Sequence, residues 1–203
     1  MKMQADILNR LGVPINVAEN QLGSRMKEVE RSLLPVNHAR PVDTARLLDI
    51  PYCCLHTPAD NMVSNYLQQV FDREAPKQLK DIVKLLKGIP EYQEAGRNNA
   101  GPRILVGTDD QRTGKIFVDM TGGTSGSKDT LEKLSQSGVG TIVGMHMSED
   151  HRKEAEKHHL HVVIAGHISS DTLGLNLLFD KIGSCRPFQI VECSGFKRFT
   201  RVV

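Results

Sequence analysis

The sequence predicts an α/β fold in which helices pack on a largely parallel or mixed sheet. After Gly138, apolar strand-like runs alternate with amphipathic stretches in the order strand, helix, strand, helix. Upstream, two more apolar runs flank a turn at 109–114. Alternation of this kind places strands side by side and covers the sheet with helices.

Helices dominate the chain before residue 100. The clearest is 18–34, where apolar residues from Leu22 to Leu33 recur at the spacing of one helix face and Pro35 ends the pattern. Residues 50–55 form an apolar run that predicts a buried strand ending at His56. The other predicted helices are 1–10, a short one after Pro41, 59–71 and much of 76–100.

Strands are more frequent in the second part of the chain. The helical pattern loosens over 94–102, which contains glycine, asparagine and proline, so we expect two halves, 1–95 and 101–203. The predicted strands are 103–107, 115–120, 141–145, 161–166 and 188–193, and the predicted helices are about 128–136, 148–159 and 169–182.

Composition excludes several classes of protein. The 203 residues are 39% hydrophobic and 25% charged, with a net charge of +2, which argues against nucleic acid or an anionic membrane as a partner. The start lacks the apolar core of a signal peptide, and no apolar run approaches the roughly 18 residues of a membrane span. We therefore expect a cytoplasmic protein, with its four cysteines buried and reduced.

A histidine followed four residues later by an acid occurs three times. The count alone decides little, but each histidine follows a predicted strand, and ligands usually bind at the carboxyl ends of strands in open α/β sheets. We expect the imidazoles of the first and third pairs to converge at that edge. The three pairs are His56/Asp60, His146/Asp150 and His167/Asp171.

These residue types point to a divalent metal. Imidazole and carboxylate together suit Zn, Fe, Mn or Ni better than Ca, and two such pairs would hold one or two ions with water in the open positions. The alternative is that the histidines end strands and the aspartates cap the following helices. His158, His159 and His161 look like a separate cluster. The first two sit at a helix end beside Lys157, where cations are favoured, so a solvated helix end is preferred to the alternative of metal ligation.

The glycine-rich segment 121–127 precedes a predicted helix. Its backbone N–H groups would suit a phosphate, although it matches neither a P-loop nor GxGxxG, and a tight strand-to-helix turn is the alternative. The basic tail around Lys197, Arg198 and Arg201 is expected to be a solvated terminus. The residues of the phosphate prediction are Gly122, Gly123, Thr124, Ser125, Gly126 and Ser127.

Taken in order, these motifs resemble the NIF-three-like family, whose members are often described as homologues of GTP cyclohydrolase I type 2. CLHTPADN, VDMTGGTSGS and VVIAGHISSD resemble its histidine–aspartate segment, its glycine-rich turn and its GHxxTE segment. His151 falls where the family often has a further histidine. The resemblance covers nearly the whole chain.

The resemblance implies two related, intertwined halves, a dinuclear metal site between them and a ring-shaped hexamer built from dimers. Two departures stand out. The family's adjacent-histidine motif, HHP, is absent, so we expect the first half to be incomplete at its N-terminus. Asp171 stands where a glutamate is usual, which shortens the reach of that carboxylate. We therefore expect His56, Asp60, His167 and Asp171 to bind one or two divalent transition metal ions per subunit.

Three functions are open at this point. The first is a metal-dependent hydrolase acting on a nucleotide or related phosphorylated molecule, with His151 or His146 moving protons. The second is a non-enzymatic metal-binding regulatory or assembly protein. The third is a degenerate, metal-free member. All three are compatible with the expected homo-oligomer.

Overall fold

Most of the predicted helices and strands are present. The computed structural model describes residues 2–123 and 125–201, which contain nine helices and four strands. In chain order these are α1 (Lys2–Leu11), α2 (Ile15–Leu33), α3 (Arg40–Leu47), α4 (His56–Glu74), α5 (Leu79–Lys87), α6 (Pro90–Arg97), β1 (Arg103–Val106), β2 (Lys115–Asp119), α7 (Thr130–Gln136), β3 (Val139–Gly144), α8 (Glu149–Lys157), β4 (His161–Ile164) and α9 (His167–Cys185).

The four strands form one mixed sheet in the order β1-β4-β3-β2. Strands β2, β3 and β4 are parallel to one another, and β1 is antiparallel to β4. The carboxyl ends of β2, β3 and β4 therefore lie at the same edge of the sheet. The prediction of an α/β fold with a mixed sheet and packed helices is confirmed.

Helices cover both faces of the sheet. Alternate residues of β3 and β4 point in opposite directions, so Val143 and Val163 pack in one core while Ile142 and Val162 pack in the other. The first core holds side chains of α4, α5, α6 and α9, and the second holds side chains of α1, α2, α7 and α8. Both cores draw on residues from 1–95 and from 101–203, and the division into halves stays a prediction.

Two predicted strands are wrong. Residues 50–55 and 188–193 have no regular secondary structure. An apolar run becomes a strand only where a partner strand supplies hydrogen bonds, and neither segment adds to the sheet. All four cysteines are free and exposed, so the expectation of buried thiols is wrong. Cys53, Cys54 and Cys193 lie in the two segments that form no strand, and Cys185 is the exposed last residue of α9.

The basic tail is not a solvated terminus. The Arg201 guanidinium makes a two-pronged ion pair with Glu91, with N–O distances of 2.6 and 2.8 Å, and Arg198 pairs with Asp180. Glu91 is only 2% exposed, and Asn176 of α9 also donates a hydrogen bond to it at 2.9 Å. The expectation failed because the buried acid lies 110 residues away in sequence.

In the described residues, no helix combines the length and the apolar character that a bilayer crossing requires.

Candidate metal and ligand site

Three strands deliver side chains to one edge of the sheet. Asp119 ends β2, His146 follows β3, and His167 follows β4. The rings of His146 and His167 lie with their centroids 4.8 Å apart. The position expected for His167 is therefore found.

His56 also lies at this edge of the sheet, but a helix positions it and not a strand. It follows no strand, so that expectation is wrong; it is the first residue of α4, as His167 is the first residue of α9. In each helix the acid lies one turn further on and faces its histidine. His56 Nδ1 is 3.2 Å from Asp60 Oδ2, and His167 Nε2 is 3.6 Å from Asp171 Oδ2.

A glycine brings the two helices close together. A Cβ on Gly174 of α9 would lie 2.4 Å from the carbonyl oxygen of Ala59 in α4, closer than real Cβ atoms approach. Ala59 precedes Asp60, and Gly174 lies one turn beyond Asp171. The contact therefore sets the separation of the two helices just below the two pairs.

The glycine-rich segment lies between the two pairs. The Gly122 N–H donates to Asp60 Oδ2 at 3.2 Å, and its carbonyl accepts a hydrogen bond from His146 Nε2 at 3.3 Å. A Cβ at Gly122 would lie 3.3 Å from His167 Nε2 and 3.4 Å from Asp60 Oδ1, and one at Gly123 would lie 3.4 Å from His56 Nε2. The two His–Asp pairs and His146 therefore surround two residues that have no side chains.

The charges at this edge are incompletely balanced. Burial raises the pKa of Asp60 above its ordinary value, and the Asp171 charge adds to the rise, while the Gly122 hydrogen bond and His56 oppose it. Burial also raises the pKa of Asp171, and His167 and His56 oppose that rise. A cation bound between the carboxylates would offset both effects.

The donors are arranged as pairs. Within residues 2–123 and 125–201, no group of three or more histidine, cysteine, aspartate or glutamate side chains is arranged to hold a metal ion. The structure places the two pairs on either side of Gly122 and Gly123 without arranging three of their donors around one point, and metal ligation by them stays a prediction.

The remaining residues singled out from the sequence either have structural partners or lie outside the described part of the chain. His151 Nε2 donates to the carbonyl of Gly126 at 2.9 Å, and its Nδ1 lies 2.8 Å from the Ser148 hydroxyl, so both ring nitrogens are engaged. His158 pairs with Glu154 at 2.8 Å at the end of α8, away from the candidate site. Thr124, a predicted phosphate-binding residue, lies outside the described residues.

A cavity of about 390 Å³ opens beside the His56–Asp60 pair. His56, Asp60 and His146 line it together with Asp119, which the sequence reasoning missed. The Thr121 hydroxyl donates to Asp119 Oδ1 at 2.6 Å and holds that carboxylate in place. The signal was available, because the acid is the penultimate residue of the predicted strand KIFVDM, at the edge where ligands bind.

Comparisons with known proteins agree with this fold. Among solved structures, the chain is similar to the crystal structure of a NIF3 superfamily protein from Sphaerobacter thermophilus, with a TM-score of 0.78 and 22% sequence identity. The superposition covers 96% of this chain and 71% of that chain. Neither a protein-family model nor a curated protein matches the sequence. The chain has the fold of a NIF3 superfamily protein, which confirms the resemblance to the NIF-three-like family at the level of fold.

Proposed function

We propose that the chain binds a divalent transition metal through His56, Asp60, His167 and Asp171 and hydrolyses a small phosphorylated molecule, such as a nucleotide or a related compound. The observation that carries the proposal is the meeting of both His–Asp pairs around Gly122, where His56 and Asp60 line a cavity of about 390 Å³. Cavities of roughly 300–1,000 Å³ are typical of small-molecule sites.

The donor set fits Zn, Fe, Mn or Ni. Two imidazoles and two carboxylates match the preferences of these ions, and the rise in pKa of both aspartates marks a place where a cation is favoured. When bound, the ion would act as a Lewis acid towards a phosphoryl oxygen. Four donors are enough ligands for one ion but too few for two, so we expect at most one tightly bound ion per subunit.

The chain's own residues would position the substrate and move protons. Asp119 and His146 line the cavity, and His146 has its Nε2 committed to the Gly122 carbonyl. Either could accept a proton from water at the substrate. His151 is better suited to holding Gly126 in place, because both of its ring nitrogens already have partners.

Titration calorimetry with Zn²⁺, Mn²⁺ and Fe²⁺ tests the metal. We expect His167→Ala to abolish metal binding, because a site with only four ligands then loses a neutral nitrogen donor. Asp171→Ala should weaken metal binding less. His159→Asn is a matched control, because His159 is exposed beyond the end of α8 and has the positive φ that asparagine tolerates. Unchanged binding by His167→Ala would show that the proposed ligands are wrong.

Turnover separates this proposal from the alternatives. A hydrolase loses activity on chelation and regains it when the metal is restored. A non-enzymatic assembly protein would bind metal without turnover. The second candidate function is that of a metal-free protein of the same fold. In the described residues the donors stand in pairs, and no three are arranged for one ion. Such a protein would bind no stoichiometric metal.

We also propose that the chain forms a homo-oligomer. Large apolar side chains are exposed throughout the segment that joins α2 to α4, and contiguous apolar surface of this kind commonly marks an interface. Light scattering at micromolar concentration is expected to give a mass above that of one chain. A stable monomer would contradict this proposal. The exposed residues are Leu33, Leu34, Val36, Val42, Leu47, Leu48, Ile50 and Tyr52.

A further inference from the structure

The cavity beside the His–Asp pairs has two chemically different ends. The polar end contains His56, Asp60, Asp119 and His146. The apolar end lies between α1, α2 and α7 and is formed largely by buried core side chains, so it is a concave pocket rather than a flat surface patch. Its main lining residues are Ile7, Leu8, Leu22, Leu131 and Leu134.

The glycine-rich segment connects the two ends and sets their separation. A Cβ on Gly123 would lie 3.4 Å from His56 Nε2 at the polar end, and one on Gly126 would lie 3.8 Å from Leu22 Cδ2 at the apolar end. Three residue steps span at most about 10 Å, because an extended chain advances roughly 3.3–3.6 Å per residue. A ligand of that length reaches both ends at once.

The described lining of this cavity contains no lysine or arginine. An anionic group would therefore be recognised by imidazoles, by backbone N–H groups and by the proposed metal, all of which belong to the polar end. The apolar end offers mainly hydrophobic contact, with Gln4 of α1 and Thr130 of α7 as its polar lining residues. The two ends should therefore bind their parts of a ligand independently, with only the anionic part depending on metal.

We propose that the ligand is an amphipathic organic phosphate with a compact, ring-sized apolar group. The ring would lie between Leu22 and Leu131, and the phosphate would lie near His56 and Asp60. The apolar group is expected to be compact, because the polar and apolar ends share a cavity of about 390 Å³. The position of the phosphate rests on the function proposed above, whereas the position of the ring does not.

Phenylphosphonate and methylphosphonate test this assignment, since they share a head group that a phosphatase does not cleave. On the Mn²⁺-loaded protein we expect phenylphosphonate to bind at least about tenfold more tightly, because the ring buries additional apolar surface. Leu22→Trp should abolish that preference by filling the pocket, with Mn²⁺ affinity unchanged. Ile7→Trp gives the same readout if the first variant does not fold.

Met26→Trp is the matched control, because Met26 lies one turn along α2, is exposed and does not line the cavity. It should keep the full preference for the phenyl compound. Equal affinity for the two phosphonates, including no binding of either, would overturn the assignment of the apolar end whether or not Mn²⁺ binds. Retained phenyl preference without Mn²⁺ binding would instead overturn only the proposed metal function.

Discussion

The two His–Asp pairs have the same spacing and the same position in their helices, yet their surroundings differ. Asp60 is 15% exposed and accepts the Gly122 N–H, whereas Asp171 is 39% exposed and lies 3.6 Å from its histidine. The difference comes from the glycine-rich segment, which contributes a backbone N–H to one pair only. Spacing along a helix makes an acid face a histidine, and contacts distant in sequence then decide how firmly the pair is held.

The helices that carry the pairs also differ in their support. Helix α4 packs against β2 and α9, and it meets the tail at Tyr66, whose ring lies 5.7 Å from the Arg201 guanidinium. Helix α9 is tied to the tail at two residues, because Asp180 pairs with Arg198 and Asn176 bonds the Lys197 carbonyl. The pair on the more exposed side of the site therefore has the more strongly anchored helix. Four variants probe the support of the two pairs, in order of decreasing effect on stability.

Arg201→Met should have the largest effect. It leaves the Glu91 carboxylate buried without its partner, and loss of one partner of a buried ion pair costs about 3–5 kcal/mol. We expect the free energy of unfolding, measured by urea denaturation, to fall by that amount.

Arg97→Met is the control for this variant. Arg97 pairs with Glu94 on the surface, where the interaction is screened and contributes about 0–1 kcal/mol. Replacing both partners, with Glu91→Leu and Arg201→Met together, should restore part of the lost stability, since no buried charge then remains. Equal destabilisation by Arg97→Met and Arg201→Met would show that the tail does not anchor α9.

The sheet could be predicted from the sequence, and some of its surroundings could not. All four strands of the structure were expected, because each is a short apolar run bounded by turn residues. The runs at 50–55 and 188–193 looked alike but have no pairing partner, and pairing depends on contacts that a local pattern does not contain. The tail failed for a similar reason, since burial of Glu91 depends on the whole fold.

The sequence predicts which residues form the candidate site better than it predicts how the fold brings them together. His167 and Asp171 were expected together at the end of β4, and they are found there. His56 was expected after a strand that does not exist, and it reaches the site because α4 packs closely on α9. That close approach depends on Gly174, a residue whose role only a neighbouring helix reveals.

Gly174→Ala should have the second largest effect. Its new methyl group would lie 2.4 Å from the Ala59 carbonyl, so the helices must separate, and overpacking of this kind costs typically about 1–3 kcal/mol. We expect a lower urea midpoint and weaker metal binding, because the two pairs move apart. Gly183→Ala in the same helix meets nothing closer than 3.8 Å and should stabilise by up to about 1 kcal/mol. Similar stability of the two variants would argue against a close contact at Gly174.

Asp60→Asn and Asp171→Asn should have the smallest effects on stability. Unlike Arg201→Met and Gly174→Ala, they should raise the free energy of unfolding. Burial raises the pKa of both carboxyl groups in the folded chain, so the native state disfavours their charged forms. This penalty is present above the raised pKa, falls as the pH decreases through it, and is absent below the unfolded value near 3.8. Each asparagine should therefore stabilise the metal-free protein at pH 7 by at most about 1 kcal/mol, with no gain near pH 3.

The two asparagine variants should also differ in how much they stabilise the protein. An asparagine at position 60 can still accept the Gly122 N–H, so it keeps the hydrogen bond while losing the charge. Its gain should exceed that of Asp171→Asn, because Asp60 is the less exposed of the two and solvent screens the charge of Asp171 more strongly. Thermal unfolding in the presence of a chelator, at pH 7 and near pH 3, measures both gains. Destabilisation of the metal-free protein by either variant at pH 7 would mean that the native state already stabilises that carboxylate without a metal.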